Sequence, residues 1–396
     1  MPILEIEKLV YGGDGLARLD GQVVLVPLVL PGEHVDVITD RVKTGLLRGA
    51  VSQIQIASAQ RVEPRCEYFG ACGGCQYQHA DYAFQLEQKR AILLENLQRL
   101  GGLKYEGEVP IISGEPWAYR NRIQLHFESG RCGFHRPGSN DLEPIEHCPI
   151  SSPLLSEAIQ QISQAGRQPE WPRFLKSLEL FSNEEEVQLN ILDSTRPVAA
   201  RFFEWAKTFL PFAQGALDYQ AAGYKFRISR GSFFQVNRFL IEALVSEVLG
   251  DATGEQAVDL YSGVGLFSLP LARRFKAVQA VERGGPAVRD LEHNTAQAGV
   301  TNILSVRASA EEFLRRMNTA PDLVIVDPPR SGLGKETTAE LLRVKPKQLT
   351  IVSCDPSTLA RDLKQLLTAF EIERMTLVDL FPQTYHLETV VHLRAI

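Results

Sequence analysis

The sequence predicts a three-part molecule: a small OB-like β-barrel, a central α+β domain, and a Rossmann-like α/β domain with helices on both faces of a mostly parallel sheet. Three observations carry this expectation. The first stretch is a series of short strand-like runs separated by glycine turns. The middle mixes strand and helix patterns behind a cysteine-rich turn region. The last third alternates helix-length segments with short apolar strands. The expected divisions are 1–58, 59–226 and 227–396. A chain of 396 residues is too long for one ordinary core, and 44% hydrophobic with 23% charged residues is a globular composition.

In the first part, turns fall at Gly12-Gly13-Asp14-Gly15, Asp20-Gly21 and Pro31-Gly32, with strands expected over 22–29 and 33–38. A helix is expected over 82–100, where Phe84, Ala91, Leu94, Leu97 and Leu100 recur near helical spacing. The central part offers strands over 123–127, 178–180 and 187–192 and a helix over 154–164. The last part reads as strand 257–260, helix 267–275, strand 277–281, helix 287–298, and strands 303–307, 323–326 and 349–353. It closes with helix 358–370 and strands near 374–380 and 389–393.

The opening residues alternate apolar with acidic side chains and show no basic segment leading into an apolar one, so a cytoplasmic location is expected. The most apolar run, 23–30, is broken by Pro27 and falls far short of the roughly 20 residues that span a bilayer; no membrane partner is expected. A net charge of −6 disfavours a protein that coats nucleic acid through bulk charge, but not a site-selective enzyme with local Lys and Arg. Tyr119-Arg120-Asn121-Arg122 is a candidate RNA contact, one aromatic with two guanidinium groups.

Six unevenly spaced cysteines suggest a metal site plus isolated thiols rather than a disulfide framework. Cys66, Cys72 and Cys75 are separated by five residues and then by Gly73-Gly74, which suits a tight wrap around a metal centre. Cys148 is the preferred fourth ligand, with Cys132 its competitor. A structural zinc is usually signalled by two close cysteine pairs, and only one is present.

The segment from Asp259 to Phe267 runs from a strand through Gly263 and Gly265 into a helix, where glycine lets the backbone approach a ligand at the carboxyl edge of the sheet. Ser268 stands where a dinucleotide fingerprint has its third glycine, which argues against NAD. Glu282 ends the next strand, where a carboxylate can accept from a ribose diol. Asp327-Pro328-Pro329-Arg330 follows another apolar strand beside the same crevice. Methyltransferases that act on exocyclic amines carry an aromatic residue after the two prolines, and Arg330 argues against that chemistry.

Ser353-Cys354-Asp355-Pro356 ends the following strand and brings a thiol to the same edge. Carbon 5 of uracil is a poor nucleophile, so a thiolate that adds at carbon 6 generates an enolate able to take a methyl group. A base must then remove the carbon 5 proton, and Glu388 is the candidate.

Taken together, residues 231–237 (Gly-Ser-Phe-Phe-Gln-Val-Asn), 259–267, 327–330, 353–356 and 386–390 resemble the RNA uracil-5 methyltransferase family, and the amino-terminal barrel looks like a TRAM domain, an RNA-binding module. The resemblance covers most of the chain. It implies S-adenosylmethionine as cofactor, contacts to it from Gln235, Tyr261, Glu282 and Asp327, Cys354 as nucleophile and Glu388 as base. Leu266 and Ser309 occupy further cofactor-matching positions, Leu266 through backbone or apolar surface alone. It also implies a 4Fe-4S cluster on the cysteine set, a structured RNA as substrate, with 23S ribosomal RNA favoured over transfer RNA, and a uridine flipped out of its fold. The competing readings are an RNA cytosine-5 methyltransferase and a non-catalytic RNA-binding iron-sulfur protein.

Overall fold

Six strands open the chain: β1 (Ile3–Glu5), β2 (Lys8–Leu9), β3 (Gly15–Leu19), β4 (Gln22–Val26), β5 (His34–Lys43) and β6 (Leu46–Ile56). The computed structural model describes residues 1–43, 45–210 and 213–396. These strands form a sheet in the order β1-β5-β6-β4-β3-β2. Its inner face is built by Leu4, Ile6, Ala17, Val24, Val26, Val29, Val35 and Val37. A Cβ at Gly49 would sit 2.4 Å from Val37 Cγ1, so the sheet closes tightly there. Arg61 grips the buried Glu33 carboxylate with Nε at 2.6 Å and a terminal nitrogen at 2.8 Å, fixing where the chain leaves the barrel.

Next come α1 (Tyr82–Gly101) and β7 (Ile111–Ile112), then β8 (Arg122–Glu128), β9 (Arg131–His135), β10 (Leu142–Pro144), α2 (Pro153–Gly166), β11 (Leu175–Ser182), β12 (Val187–Ser194), α3 (Ala200–Ala206) and β13 (Ala213–Gln214). The central sheet runs β10-β9-β8-β11-β12-β13, with Leu155, Ile159 and Ile162 of α2 in its core. Asp81 caps α1 by accepting from the Ala83 and Phe84 amides, and Gly102 ends it in left-handed geometry.

The remainder comprises β14 (Leu217–Ala221), β15 (Tyr224–Ile228), α4 (Ile241–Leu249), β16 (Gly254–Leu260), α5 (Ser268–Leu271), β17 (Phe275–Glu282), α6 (Gly285–Gln297) and β18 (Ile303–Arg307). It continues with α7 (Ala310–Arg316), β19 (Leu323–Val326), α8 (Gly334–Val344), β20 (Gln348–Ser353), α9 (Pro356–Leu366), β21 (Phe370–Val378) and β22 (Thr389–Ala395). The large sheet has the order β18-β17-β16-β19-β20-β22-β21-β7, parallel from β18 to β20 and antiparallel at β22. Its order reverses between β16 and β19, and such a switch point opens a crevice at the carboxyl ends of the strands.

Packing divides the chain differently from the expected boundaries. Helix α1 contributes Ile92, Leu93 and Leu97 to the core shared with Leu359 and Leu363 of α9, and β7 pairs with β21, so both belong to the large sheet. The β14–β15 hairpin packs Leu217, Phe226 and Ile228 against Leu244 and Phe267, and a boundary at 226 would cut through β15. The helix expected over 267–275 is only Ser268–Leu271, because buried Phe275 already opens β17. Likewise α9 ends at Leu366, and buried Phe370 starts β21.

Lys89 of α1 is buried and donates to Asp379 Oδ1 at 2.6 Å and to the Phe381 carbonyl at 2.9 Å, while the Tyr82 hydroxyl donates to Asp379 Oδ2. Removing the cation strands a buried carboxylate. Lys89→Met is expected to cost about 3–5 kcal/mol, read as a lowered urea midpoint with the slope unchanged.

Candidate active site

Strand register collects the acidic and thiol side chains at one edge. Leu260 lies opposite both Val281 and Val326, so the next residues out, Tyr261, Glu282 and Asp327, are neighbours. Ser353 lies opposite Thr389 in the antiparallel β20–β22 pair, so Cys354 and Glu388 follow at the same end. Thirty-four positions apart in sequence, these two are brought together by register alone.

The turn after β16 holds Tyr261 at φ 63°, Gly263 at 54° and Gly265 at 97°, left-handed geometry that suits glycine and strains tyrosine. A Cβ on Gly265 would approach Leu291 Cδ1 to 2.7 Å, whereas Gly263 faces open space. Glu282 accepts from the Gly263 and Gly284 amides, which fixes its carboxylate beside the turn. Asn294 accepts from the Arg227 amide and donates to the Val264 carbonyl, tying the turn to β15. Gln235 is buried, with its carbonyl held by Asn121 Nδ2 at 3.0 Å. Leu266 packs into the core, which leaves it only backbone or apolar contact. Ser309 caps α7 in a capping box with Glu312, so its hydroxyl already has a structural partner.

Asp259, two residues before the turn, is fully buried. It accepts from Ser268 through one oxygen, and the other has no partner. Burial pushes Asp259 up to about 7 despite that hydrogen bond, and burial does the same to Asp327. Burial and then the Asp327 charge hold Glu388 well above the usual carboxylate range. Burial, followed by Glu388 and Asp327, pushes the Cys354 thiol up to about 12. Burial thus favours the neutral forms of these acids, and a cationic ligand at the edge would favour the ionised ones. The orphaned Asp259 oxygen and the open space at Gly263 fit a cofactor carrying a sulfonium and an ammonium, with Glu282 placed for a ribose diol.

Around the thiol, the Tyr11 hydroxyl of the barrel donates to the Cys354 carbonyl at 3.3 Å, and the Tyr11 ring meets Tyr385 edge-on at 5.4 Å. Burial, then Arg330 and Arg120, pushes His386 down to about 3. Its neutral ring therefore accepts from Arg330 at 3.3 Å. Tyr11, Asp259 and His386 were not singled out from sequence. An acid near the end of the apolar run 257–260 was the available signal for Asp259, whereas nothing local marks Tyr11, which is 343 residues from its partner.

The expected RNA-contact cluster is corrected. Tyr119 is fully buried and donates to the Pro382 carbonyl, Asn121 is buried, and Arg122 is sequestered against Glu179 and the Phe181 ring. These side chains are joinery between sheets, and Arg120 alone remains partly exposed.

Cys66, Cys72, Cys75 and Cys148 line one cavity of about 270 Å³, together with Tyr68 and Gln78. Cys132 instead lies in the central core. Gly73 donates to the His135 carbonyl, and a Cβ there would meet that oxygen at 2.8 Å, so the loop needs glycine to fold back. Among the described residues, no three His, Cys, Asp or Glu side chains stand close enough to hold a single metal ion.

Residues 211–396 match the family described as tRNA (Uracil-5-)-methyltransferase, and residues 4–51 match the TRAM domain. An uncharacterized RNA methyltransferase of Aquifex aeolicus is 34% identical, over 98% of this chain and 97% of its own. The 23S rRNA (uracil(1939)-C(5))-methyltransferase RlmD of Salmonella choleraesuis is 33% identical, over 98% and 95%. Among solved structures, the Pyrococcus abyssi tRNA (uracil-54, C5)-methyltransferase in complex with S-adenosyl-L-homocysteine is 27% identical with a TM-score of 0.75, covering 98% of this chain and all of that one.

Proposed function

The chain belongs to the RNA uracil-5 methyltransferase family, an S-adenosylmethionine-dependent enzyme with an amino-terminal TRAM domain, and from that premise we propose that it methylates carbon 5 of a uridine in 23S ribosomal RNA through a covalent adduct with Cys354. The observation that carries the mechanism is the register that sets Cys354 beside Glu388 and one strand away from Asp327. The RNA assignment is supported by full-length likeness to a relative named for 23S rRNA. A cytoplasmic site of action goes with that substrate, and no described helix is long and apolar enough to cross a membrane.

Gln235, Tyr261, Glu282 and Asp327 hold the cofactor, with Leu266 lending apolar surface and Ser309 bordering the site. When bound, S-adenosylmethionine supplies the methyl group and a positive charge. Cys354 adds as thiolate to carbon 6, forming the carbon–sulfur bond and moving the ring electrons toward carbon 5 and its neighbouring carbonyl oxygen. Once carbon 5 carries the methyl group, Glu388 removes its remaining proton, and the electron pair left behind expels Cys354 as thiolate. The test is mass spectrometry of nucleosides from unmodified ribosomal and transfer RNA treated with protein and labelled S-adenosylmethionine. Labelled 5-methyluridine in 23S RNA is expected; the label in 5-methylcytidine, or in transfer RNA alone, overturns the assignment.

The four thiols around one cavity support a 4Fe-4S cluster on Cys66, Cys72, Cys75 and Cys148, since four cysteinate ligands are the common shell for such a centre. A cluster held there would join the 66–75 loop to Cys148 of the central domain. Cys148→Ala is expected to lose bound iron and acid-labile sulfide from anaerobically purified protein, while Cys132→Ala retains both.

A further inference from the structure

The segment leading to Glu388 is held at four successive carbonyls by donors from four separate parts of the chain. Asn237 Nδ2 donates to Leu380 at 3.1 Å, Lys89 to Phe381 at 2.9 Å, and the Tyr119 hydroxyl to Pro382 at 3.0 Å. The Gln76 and Tyr77 amides, next along the chain from Cys75, both donate to Gln383, at 3.0 and 2.9 Å.

Gln383 is the last of these anchors before the base and the most constrained. It is 3% exposed and sits at φ 68°, left-handed geometry that strains a non-glycine residue and persists only where surroundings over-determine it. Its side chain and backbone form a reciprocal amide pair with Gln85 of α1. Gln85 Nε2 donates to Gln383 Oε1 at 3.0 Å, and the Gln383 amide donates to Gln85 Oε1 at 3.1 Å. Beyond it, Gln76 Oε1 accepts from the Tyr385 amide at 3.4 Å, while Gln76 Nε2 donates back to Gly73 at 2.8 Å. The backbone then runs through His386 to Glu388, whose carbonyl accepts from Val378.

We propose that Gln383 is a positioning residue for proton removal, its strained backbone locked by Gln85, Gln76 and Tyr77 so that Glu388 is held within reach of carbon 5. This rests on the assignment of Glu388 as base. The strain has a purpose on this reading: Val378 and β22 fix Glu388 from its carboxyl side and Gln383 fixes the approach from the other, and displacement by about 1 Å is enough to cost about 100-fold in a positioned step. Addition of Cys354 leans on this arm only indirectly, through the contact of Tyr385 with Tyr11, since the thiol itself follows directly on β20. The two halves of the reaction should therefore respond differently.

Gln383→Asn tests this in the full-length protein, because asparagine tolerates left-handed geometry but is one methylene too short to reach Gln85. With an unmodified 23S RNA transcript and S-adenosylmethionine, formation of the covalent RNA–protein adduct is followed on denaturing gels beside release of methylated RNA. The expected result is adduct formation within about twofold of wild type and release slowed about tenfold or more, so that adduct accumulates. Release at the wild-type rate overturns the proposal, and so does equal slowing of formation and release, which marks a general structural lesion. Should Gln383→Asn fail to fold, Gln85→Met is measured in the same way with the same expected split. Wild-type turnover of the transcript and adduct accumulation by Glu388→Gln test the premises separately; failure of the first removes the RNA assignment, and failure of the second removes Glu388 as base.

Discussion

Cys354→Ala is expected to lower methyl transfer by about four orders of magnitude or more, the loss typical of removing a covalent nucleophile, while leaving S-adenosylmethionine binding intact. Of the proposed cofactor groups, Glu282 ends β17 and Tyr261 and Asp327 directly follow β16 and β19, whereas Cys354 reaches the site from the end of β20. No covalent RNA–protein adduct should form at any time in the reaction. Isothermal titration with S-adenosylmethionine, beside a gel assay for adduct, separates the two functions. Transfer that survives the substitution sinks the nucleophile assignment.

The same thiol gives the reaction its pH dependence. Because burial and then the Glu388 and Asp327 carboxylates push Cys354 up to about 12, the thiolate is a minor form at neutral pH. Its population rises about tenfold per pH unit below that value, so single-turnover adduct formation should climb with pH between 7 and 9. The linkage runs the opposite way for stability. The folded thiol holds its proton more tightly than the unfolded one, so its contribution falls as pH rises above the unfolded value near 8.5. Cys354→Ala should therefore be less sensitive than wild type to alkaline unfolding. A flat rate profile would mean that another step limits the reaction.

How much of this was legible in the sequence depended on how local each signal is. Strand Leu323–Val326 is found at its expected bounds, because a strand buried in a parallel sheet is a short apolar run closed by polar residues, and the edge strand Ile303–Arg307 also matches its expected bounds although none of its side chains is buried. The hairpin Leu217–Ala221 and Tyr224–Ile228 alternates buried and exposed residues around Ala222-Gly223, and its packing against α4 and Phe267 moves the start of the third domain toward the amino terminus. Helix Gly334–Val344 is polar in its first half, which hid it, and helix Tyr82–Gly101 was visible although its destination on α9 was not. The same division holds at the site. Each motif announced itself at a strand end, but the meeting of Cys354 with Glu388 depends on β22 running antiparallel to β20, which no spacing encodes. Composition suggested that Tyr119 and Arg122 would face RNA, whereas long side chains with one polar tip serve equally well to bolt buried layers together.

Glu388→Gln separates the second half of the reaction from the first. The substitution keeps side-chain volume and the backbone bond to Val378, so the arm and the adjacent β22 should hold their places. It removes the proton acceptor that the β20–β22 register sets beside the thiol. Addition at carbon 6 and methylation at carbon 5 should proceed, since neither requires Glu388 to take a proton. The methylated adduct then has no base, and turnover should fall by about 10²–10⁴-fold, the range for loss of a general base. Protein should accumulate bound to methylated RNA, stable to denaturant. Burial already holds Glu388 well above the ordinary carboxylate range, which makes it a stronger proton acceptor once ionised than a solvated glutamate would be. If Glu388→Gln instead releases 5-methyluridine at the wild-type rate, the proton leaves by another route and the base lies elsewhere along the same edge. If it forms no adduct at all, Glu388 acts before addition, and the order of steps proposed above is wrong.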